Sequence, residues 1–203
     1  MKLIILLVGC CWQQRLGPGE GMLGWQTYNY KNLRGGLDHA TVHSGKSSYR
    51  MWADNPDGRY ALAGAVTQRI RADRFRNQRI RFSTFLKLES AEGLTLHLEV
   101  LGRARSVAKI ALSGTTDWKR YELVLDVPSD GVGIDFGFVL DKGTVWMDDA
   151  ALTAVGREVP VTSHRDWPGF NADVDYNRLS RNSAIYRPEP VNLDFEEQAV
   201  TRK

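Results

Sequence analysis

Cysteine is nearly missing from this chain of 203 residues: it has two, Cys10 and Cys11, side by side near the N-terminus. That excludes a disulfide framework and a cysteine-based metal site over everything that follows. Long apolar runs are missing too. The apolar stretch at residues 3–8 falls far short of the roughly 20 residues of a spanning helix. A charge excess is missing: the formal net charge is +3, too small to imply a nucleic-acid partner. Catalytic motifs are missing as well. Ser44-Gly45-Lys46-Ser47 looks like the end of a phosphate loop, but the upstream glycine spacing and the following helix are not there. His39 and His43 are four residues apart, a useful spacing only on a helix, and this segment has no helical pattern. No nucleophile stands with a base, so no catalytic constellation is recognisable and the chain reads as a non-enzyme.

What is present is alternation. In RIRFSTFLKL, Ile80, Phe82, Thr84, Leu86 and Leu88 share one face, while Arg79, Arg81, Ser83, Phe85 and Lys87 share the other. Residues 94–101 repeat the pattern with Leu94, Leu96, Leu98 and Val100. A short strand is expected at 107–112, with a turn at 115–117. The stretch 114–155 organises the rest. It reads as three strands, separated by the Pro128-Ser129-Asp130-Gly131 turn and the Asp141-Lys142-Gly143 hairpin, and it carries Asp148-Asp149 near its end. Short strands at regular spacing, with turns between and no helical periodicity, predict an all-β, antiparallel two-sheet β-sandwich of jelly-roll type. With 42% hydrophobic residues, the chain can bury a core between two inner faces.

The ends differ from this middle. In residues 1–11, MKLIILLVGCC, a lysine, an apolar run and Leu7-Val8-Gly9-Cys10 match a lipoprotein-type export signal, in which Cys10 would carry the lipid. The other reading is a mis-chosen start or a fortuitous apolar strand. Residues 12–23 read as a linker and 24–203 as a single sandwich domain. Within it, residues 157–190 read as an irregular loop and 191–197 as a short closing strand. On the signal, the protein is expected to be exported and lipid-anchored to the cell envelope, with no other membrane contact.

Gly24-Trp25, the turn at 43–48, Asp117-Trp118 with Tyr121, the run Gly143-Thr144-Val145-Trp146-Met147-Asp148-Asp149, and Asn192-Leu193-Asp194-Phe195-Glu196 together resemble the galactose-binding-domain-like sandwiches of bacterial carbohydrate-binding modules. Within these, the likeness is to an uncharacterised bacterial group. In most such modules the Asn-x-x-Phe-Glu strand precedes the Gly-Trp; here it comes last. Either the domain is permuted, with this strand closing the same sandwich, or residue 191 begins a second copy, and the first reading is favoured because it fills an empty sheet edge. The resemblance also implies a structural Ca²⁺ held by Asp149, Glu196 and oxygens around Gly45 and Ser47, hard ligands of the kind Ca²⁺ takes. Hydrogen bonds from backbone groups and an arginine are the alternative for the Asp148-Asp149 pair.

For recognition, Trp25, Tyr28, Tyr30, Trp52, Trp167 and Tyr176 are the aromatic rings on which a sugar's C–H face could stack. Trp118 and Trp146 are assigned to packing. Arg69, Arg71, Arg74, Arg76, Arg79 and Arg81 are the densest positive series, read either as a solvated face or as a site for an anionic partner. The expected function is a non-catalytic module binding carbohydrate or another envelope polymer. The alternative is a structural or protein-interaction domain without a small ligand.

Overall fold

A computed structural model describes residues 22–29, 33–53, 64–168 and 186–197. Among these residues the chain forms nine strands and no α-helix; a 3-10 turn at Asp73–Phe75 is the one helical element. The strands are β1 (Gln26–Asn29), β2 (Leu33–Asp38), β3 (Ser48–Ala53), β4 (Gly64–Arg71), β5 (Arg79–Leu101), β6 (Ala104–Asp126), β7 (Gly133–Leu140), β8 (Lys142–Val155) and β9 (His164–Pro168). Every pairing between them is antiparallel.

The β5–β6 hairpin turns this sheet into two layers. The first half of β5 pairs with β8 and its second half with β7, while β6 follows it throughout. One layer is therefore β2-β3-β8 with the first half of β5, and the other is β1-β4-β7 with the second half. The bend lies where the β5–β6 register slips, between Leu86 and Leu94. There Ser90, Gly93 and Gly114 have positive φ, the mark of bulged backbone. The expected break near 115–117 is thus a bend within one 23-residue strand, not a chain reversal. Turn-forming residues can serve either purpose, and spacing alone does not separate them.

Alternation fills the space between the layers. Phe82 on β5 meets Phe136 on β7 with ring centroids 5.0 Å apart. Tyr49 on β3 approaches Phe138 at 6.3 Å. Ile80, Leu86, Leu96, Leu98, Ile134 and Met147 complete a core from which water is excluded. The tight β7–β8 connection brings Gly143 against the backbone of Ser90 and Ala91, where a Cβ would collide; its φ of +92° is open to glycine and strained for other residues.

Two expectations at the C-terminal end need correction. The loop 157–190 is interrupted by β9, which pairs with β6 from Ala104↔Pro168 to Ala108↔His164. Pro168 ends that strand, where a missing N–H costs least. Residues 191–197 are not a strand: Asn192 and Phe195 have φ of +49° and +58°, which an extended strand does not admit. Asn192 bridges the turn by accepting from Glu197 N at 2.8 Å and donating to Glu197 O at 2.7 Å. The segment packs onto this same sandwich. Phe195 is fully buried, against Trp25 at 5.1 Å and Tyr49 at 5.9 Å. Gln68 bonds both N and O of Val191, and Ala150 N donates to Leu193 O at 2.9 Å.

Candidate binding face

Along β7, Ile134, Phe136 and Phe138 point into the core, so Gly133, Asp135 and Gly137 take the outer positions. Asp135 pairs in register with Arg69 on β4 and Glu99 on β5. Outer positions of a solvated sheet are hydrated, but here they are not. The side chains of Asp135, His97 and Glu99 are only 7%, 12% and 14% exposed. Arg69 Nε donates to Asp135 Oδ2 at 2.7 Å, and its second nitrogen reaches the same oxygen. His97 Nε2 lies 3.6 Å from Asp135 Oδ1. Arg105 on β6 grips both oxygens of Glu99. The Arg69 guanidinium also lies 5.6 Å over the Tyr186 ring, a cation–π contact.

The result is a line of charges across four strands: Arg69, Asp135 with His97, Glu99, Arg105. Burial alone would raise the Asp135 carboxyl, but the contact with His97 and the charge of Arg69 outweigh it and hold the group below the usual carboxylate range. Arg69 is pushed the other way: burial opposes its charge, and Asp135 and Tyr186 more than restore it. Desolvated charges in a fixed geometry are costly as stability devices and typical of sites. Sequence reasoning missed this cluster. The signal available was Asp135 itself, an acid between two glycines on an otherwise apolar strand.

A second station sits at the end of β8. Residues 145 and 147 face inward, and so do 150 and 152. A register slip opposite Ser83 and Phe85, with Asp149 at φ +46°, supplies the extra residue. This bulge resolves how two adjacent aspartates fit on a half-buried strand. Asp148 is buried and accepts from three backbone N–H groups: His43 at 2.8 Å, Ser44 at 3.2 Å and Asp149 at 2.8 Å. Asp149 takes the Ser44 hydroxyl at 2.8 Å and lies 2.6 Å from His43 Nδ1. Glu196 accepts from Lys46 N at 2.6 Å and Ser47 N at 3.0 Å. The three carboxylates thus fasten the 43–47 turn. Gly45 is required there because a Cβ would collide with the Glu196 carboxylate.

The four residues expected around Ca²⁺ therefore do gather at one turn. What faces their carboxylates is N–H, O–H and an imidazole ring, and Ser47 Oγ is spent donating to Phe195 O at 2.8 Å. Among the described residues no three His, Cys, Asp or Glu side chains are grouped to hold a metal ion.

Of the expected aromatics whose side chains are described, Trp25 and Trp52 do not share a surface. Trp25 is a correction: it is buried, edge-on to Phe136 at 5.8 Å, with its Nε1 donating to Asn192 O at 2.9 Å. Its apolar ring is the plug between the layers rather than a stacking platform. Tyr28 pairs with Ala65 at the edge of the second layer and Trp167 with Arg105. Trp52 is exposed on β3 in the other layer. Tyr30 and Tyr176 lie outside the described residues, as do residues 1–21. Each arginine of the 69–81 series faces a carboxylate: Arg69 with Asp135, Arg71 and Arg76 with Asp73, Arg74 with Glu189, Arg79 with Asp126, and Arg81 with Glu122. Five carboxylates thus face the six arginines, with Asp73 shared by Arg71 and Arg76, and Glu122 shared by Arg81 and Arg120.

The fold so defined is an antiparallel β-sandwich, and the chain is similar to solved structures. The enzymatically active domain of bacteriophage CBA120 tailspike protein 4 superposes on 67% of this chain and 20% of its own, with a TM-score of 0.53 and 11% identity. The family 22 carbohydrate-binding module of Clostridium thermocellum Xyn10B covers 67% of this chain and 88% of its own, at TM-score 0.49 and 13% identity. A family 61 module solved with β-1,4-galactotriose covers 68% and 92%, at 0.47 and 16%. No protein-family model matches the sequence. Over 173 residues, 80% of this chain, the sequence is 32% identical to an uncharacterised HTH-type transcriptional regulator, YbfP, of Bacillus subtilis (strain 168). The chain spans about half of that relative, 52% of its length. The described residues contain no α-helix, and so no helix-turn-helix.

Proposed function

We propose that this chain is a non-catalytic binding module whose ligand is a carbohydrate, recognised on the outer face of the β1-β4-β7 layer. The observation that carries this is the desolvated line of charges centred on Asp135. The carboxylate pins Arg69 against Tyr186 and stands beside His97, so the groups that meet a ligand are set before it arrives. A sugar suits such a face: hydroxyls take fixed polar groups while ring C–H atoms lie on an aromatic plane. The sequence motifs that resemble those of carbohydrate-binding modules support the same reading. A glycan panel probed with the full chain tests it, together with R69A and Tyr186→Ala. Tyr186 is half-buried, so its loss removes a contact without opening the core. Binding that both changes weaken supports the face; binding that neither alters places the ligand elsewhere.

The regulator relative favours a second reading, in which the same module senses its sugar for a DNA-binding partner domain. Export with a lipid on Cys10 belongs to the first reading and conflicts with the second, since a regulator must reach DNA. Fractionation of cells producing the full chain separates them: a membrane-bound, lipid-labelled product supports the anchor, and a cytosolic one supports the sensor.

A further inference from the structure

The arginines of the 69–81 series face carboxylates, but two on the β2-β3 side of the sandwich do not. Arg34 on β2 and Arg50 on β3 are exposed, and among the described residues neither makes a salt bridge. Both flank Trp52, the exposed large hydrophobic residue among those described, at 39%. Arg34 is directly opposite Trp52 in the β2–β3 register, and Arg50 precedes it by two on the same face. An aromatic ring, not a carboxylate, holds Arg50 in place. Its guanidinium lies 5.2 Å over the Trp146 ring, opposite it on β8. Trp146 is itself fixed, buried to 6% exposure, with Nε1 donating to Asp38 Oδ2 at 2.8 Å. The Asp38 carboxyl meets a burial penalty. The bond from Trp146, the N–H groups of Ala40 and Thr41, and the more distant charge of Arg50 outweigh that penalty and keep it ionised. Asp38, Trp146 and Arg50 thus form a relay that orients a guanidinium, and among the described residues no carboxylate takes its N–H fork.

We propose that Trp52, Arg50 and Arg34 form a second binding site, on the β2-β3-β8 face, for a carboxylate-bearing sugar of the uronic acid class. The ring C–H face lies on Trp52, and the sugar carboxylate takes the paired N–H groups of Arg50 with Arg34 beside it. Charge complementarity selects the occupant: a neutral sugar offers the two guanidinium groups hydroxyl oxygens but no anion to pair with. A nucleic-acid strand fits less well. It needs successive stacking platforms along a basic track, and the described residues here offer one exposed ring and two cations outside any salt bridge. This site is on the opposite layer from Asp135 and does not depend on the reading of that face.

The test is affinity electrophoresis and titration of the full chain with polygalacturonate, with neutral galactan and oligo-dT run alongside. The expected result is polygalacturonate binding that weakens with salt. W52A and R50A should each weaken it at least tenfold while keeping the wild-type melting temperature, since both side chains are exposed. R50K should recover only part of the loss, because a point charge replaces a fork. R74A, already paired with Glu189, should bind as wild type. Absence of polygalacturonate binding, equal binding by W52A and R50A, or preference for oligo-dT overturns the proposal. Failure on neutral glycans alone would count against the Asp135 face and leave this one standing.

Discussion

Asp135 and Asp148 occupy equivalent positions in the two layers. Each takes an outer place on a central strand, and each is buried. Their surroundings send them in opposite directions. Asp135 faces a guanidinium and an imidazole, and its carboxyl is held low. Asp148 has three backbone N–H donors and, among the described residues, no salt-bridge partner, and burial, helped by the neighbouring Asp149 charge, pushes its carboxyl up. N–H groups fasten a carboxylate to a turn; a cation turns it into a charge pair that fixes other side chains in place. The first arrangement is a clasp for the 43–47 turn, and the second is a site.

The sharpest way to break this comparison is to delete each carboxylate. D135A leaves Arg69 and His97 facing a desolvated gap. We expect a loss of about 3–5 kcal/mol in unfolding free energy, the usual cost of stranding one partner of a buried pair. D148N should cost less, about 1–3 kcal/mol. Asparagine keeps one acceptor oxygen and presents an NH2 group to donors that had an oxygen before. Urea unfolding of the two variants reads the difference, and amide exchange at His43 and Ser44 should quicken in D148N alone. Equal losses would show that the cation at Asp135 adds nothing to hydrogen bonding.

A pH series separates the two smaller contributions by sign. The folded pKa of Asp135 lies below its ordinary value of 3.8. Its stabilisation is therefore complete above that value and is lost as pH falls from 3.8 through the folded pKa. Asp148 lies above 3.8 when folded, so the folded state binds its proton more tightly. Its ionisation costs stability, and the penalty grows as pH rises from 3.8 through the raised pKa. Removing Asp148 should flatten the stability curve on the neutral side of pH 4, and removing Asp135 on the acid side. Each effect amounts to about 1.4 kcal/mol for every tenfold change that folding makes in the carboxyl's proton affinity. Curves that flatten on the same side would contradict the assignment.

Most of the fold was legible because burial writes a period of two into the sequence. Ile80-Phe82, Leu94-Leu96-Leu98 and Ile134-Phe136-Phe138 announce their inner faces without tertiary information. What was not legible is whatever depends on which strands become neighbours. Residues 115–117 look like a turn from the inside of the chain, and only the pairing of β5 with both β7 and β8 makes them a bend. Trp25 and Trp52 are alike in sequence; one is a core plug because Phe195 arrives from the far end of the chain. The arginine series looked like an open cationic face because its carboxylates, Asp126, Asp135 and Glu189 among them, are remote in sequence. The Asp135 site was hidden for the same reason, since a charge ladder across four strands has no signature on any one of them.

The gentlest test concerns the clasp. A sandwich in which Asp149 and Glu196 are satisfied by Ser44, His43, Lys46 and Ser47 has no need of a cation at that turn. The N–H groups of Lys46 and, against a burial penalty, Ser47 already hold the Glu196 carboxyl below its ordinary range. The melting temperature of the full chain should therefore be the same in excess Ca²⁺ and in chelator. A bound ion present at a hundred times its Kd would add about 2.7 kcal/mol, which a chain of this size would register as a rise of about 5 °C or more. Such a rise, abolished by E196Q, would mean that Glu196 turns an oxygen from those N–H groups toward a metal. The clasp around residues 43–47 would then be the empty form of a calcium site, and the contrast with Asp135 would become one between an ion supplied from solution and a cation built into the chain.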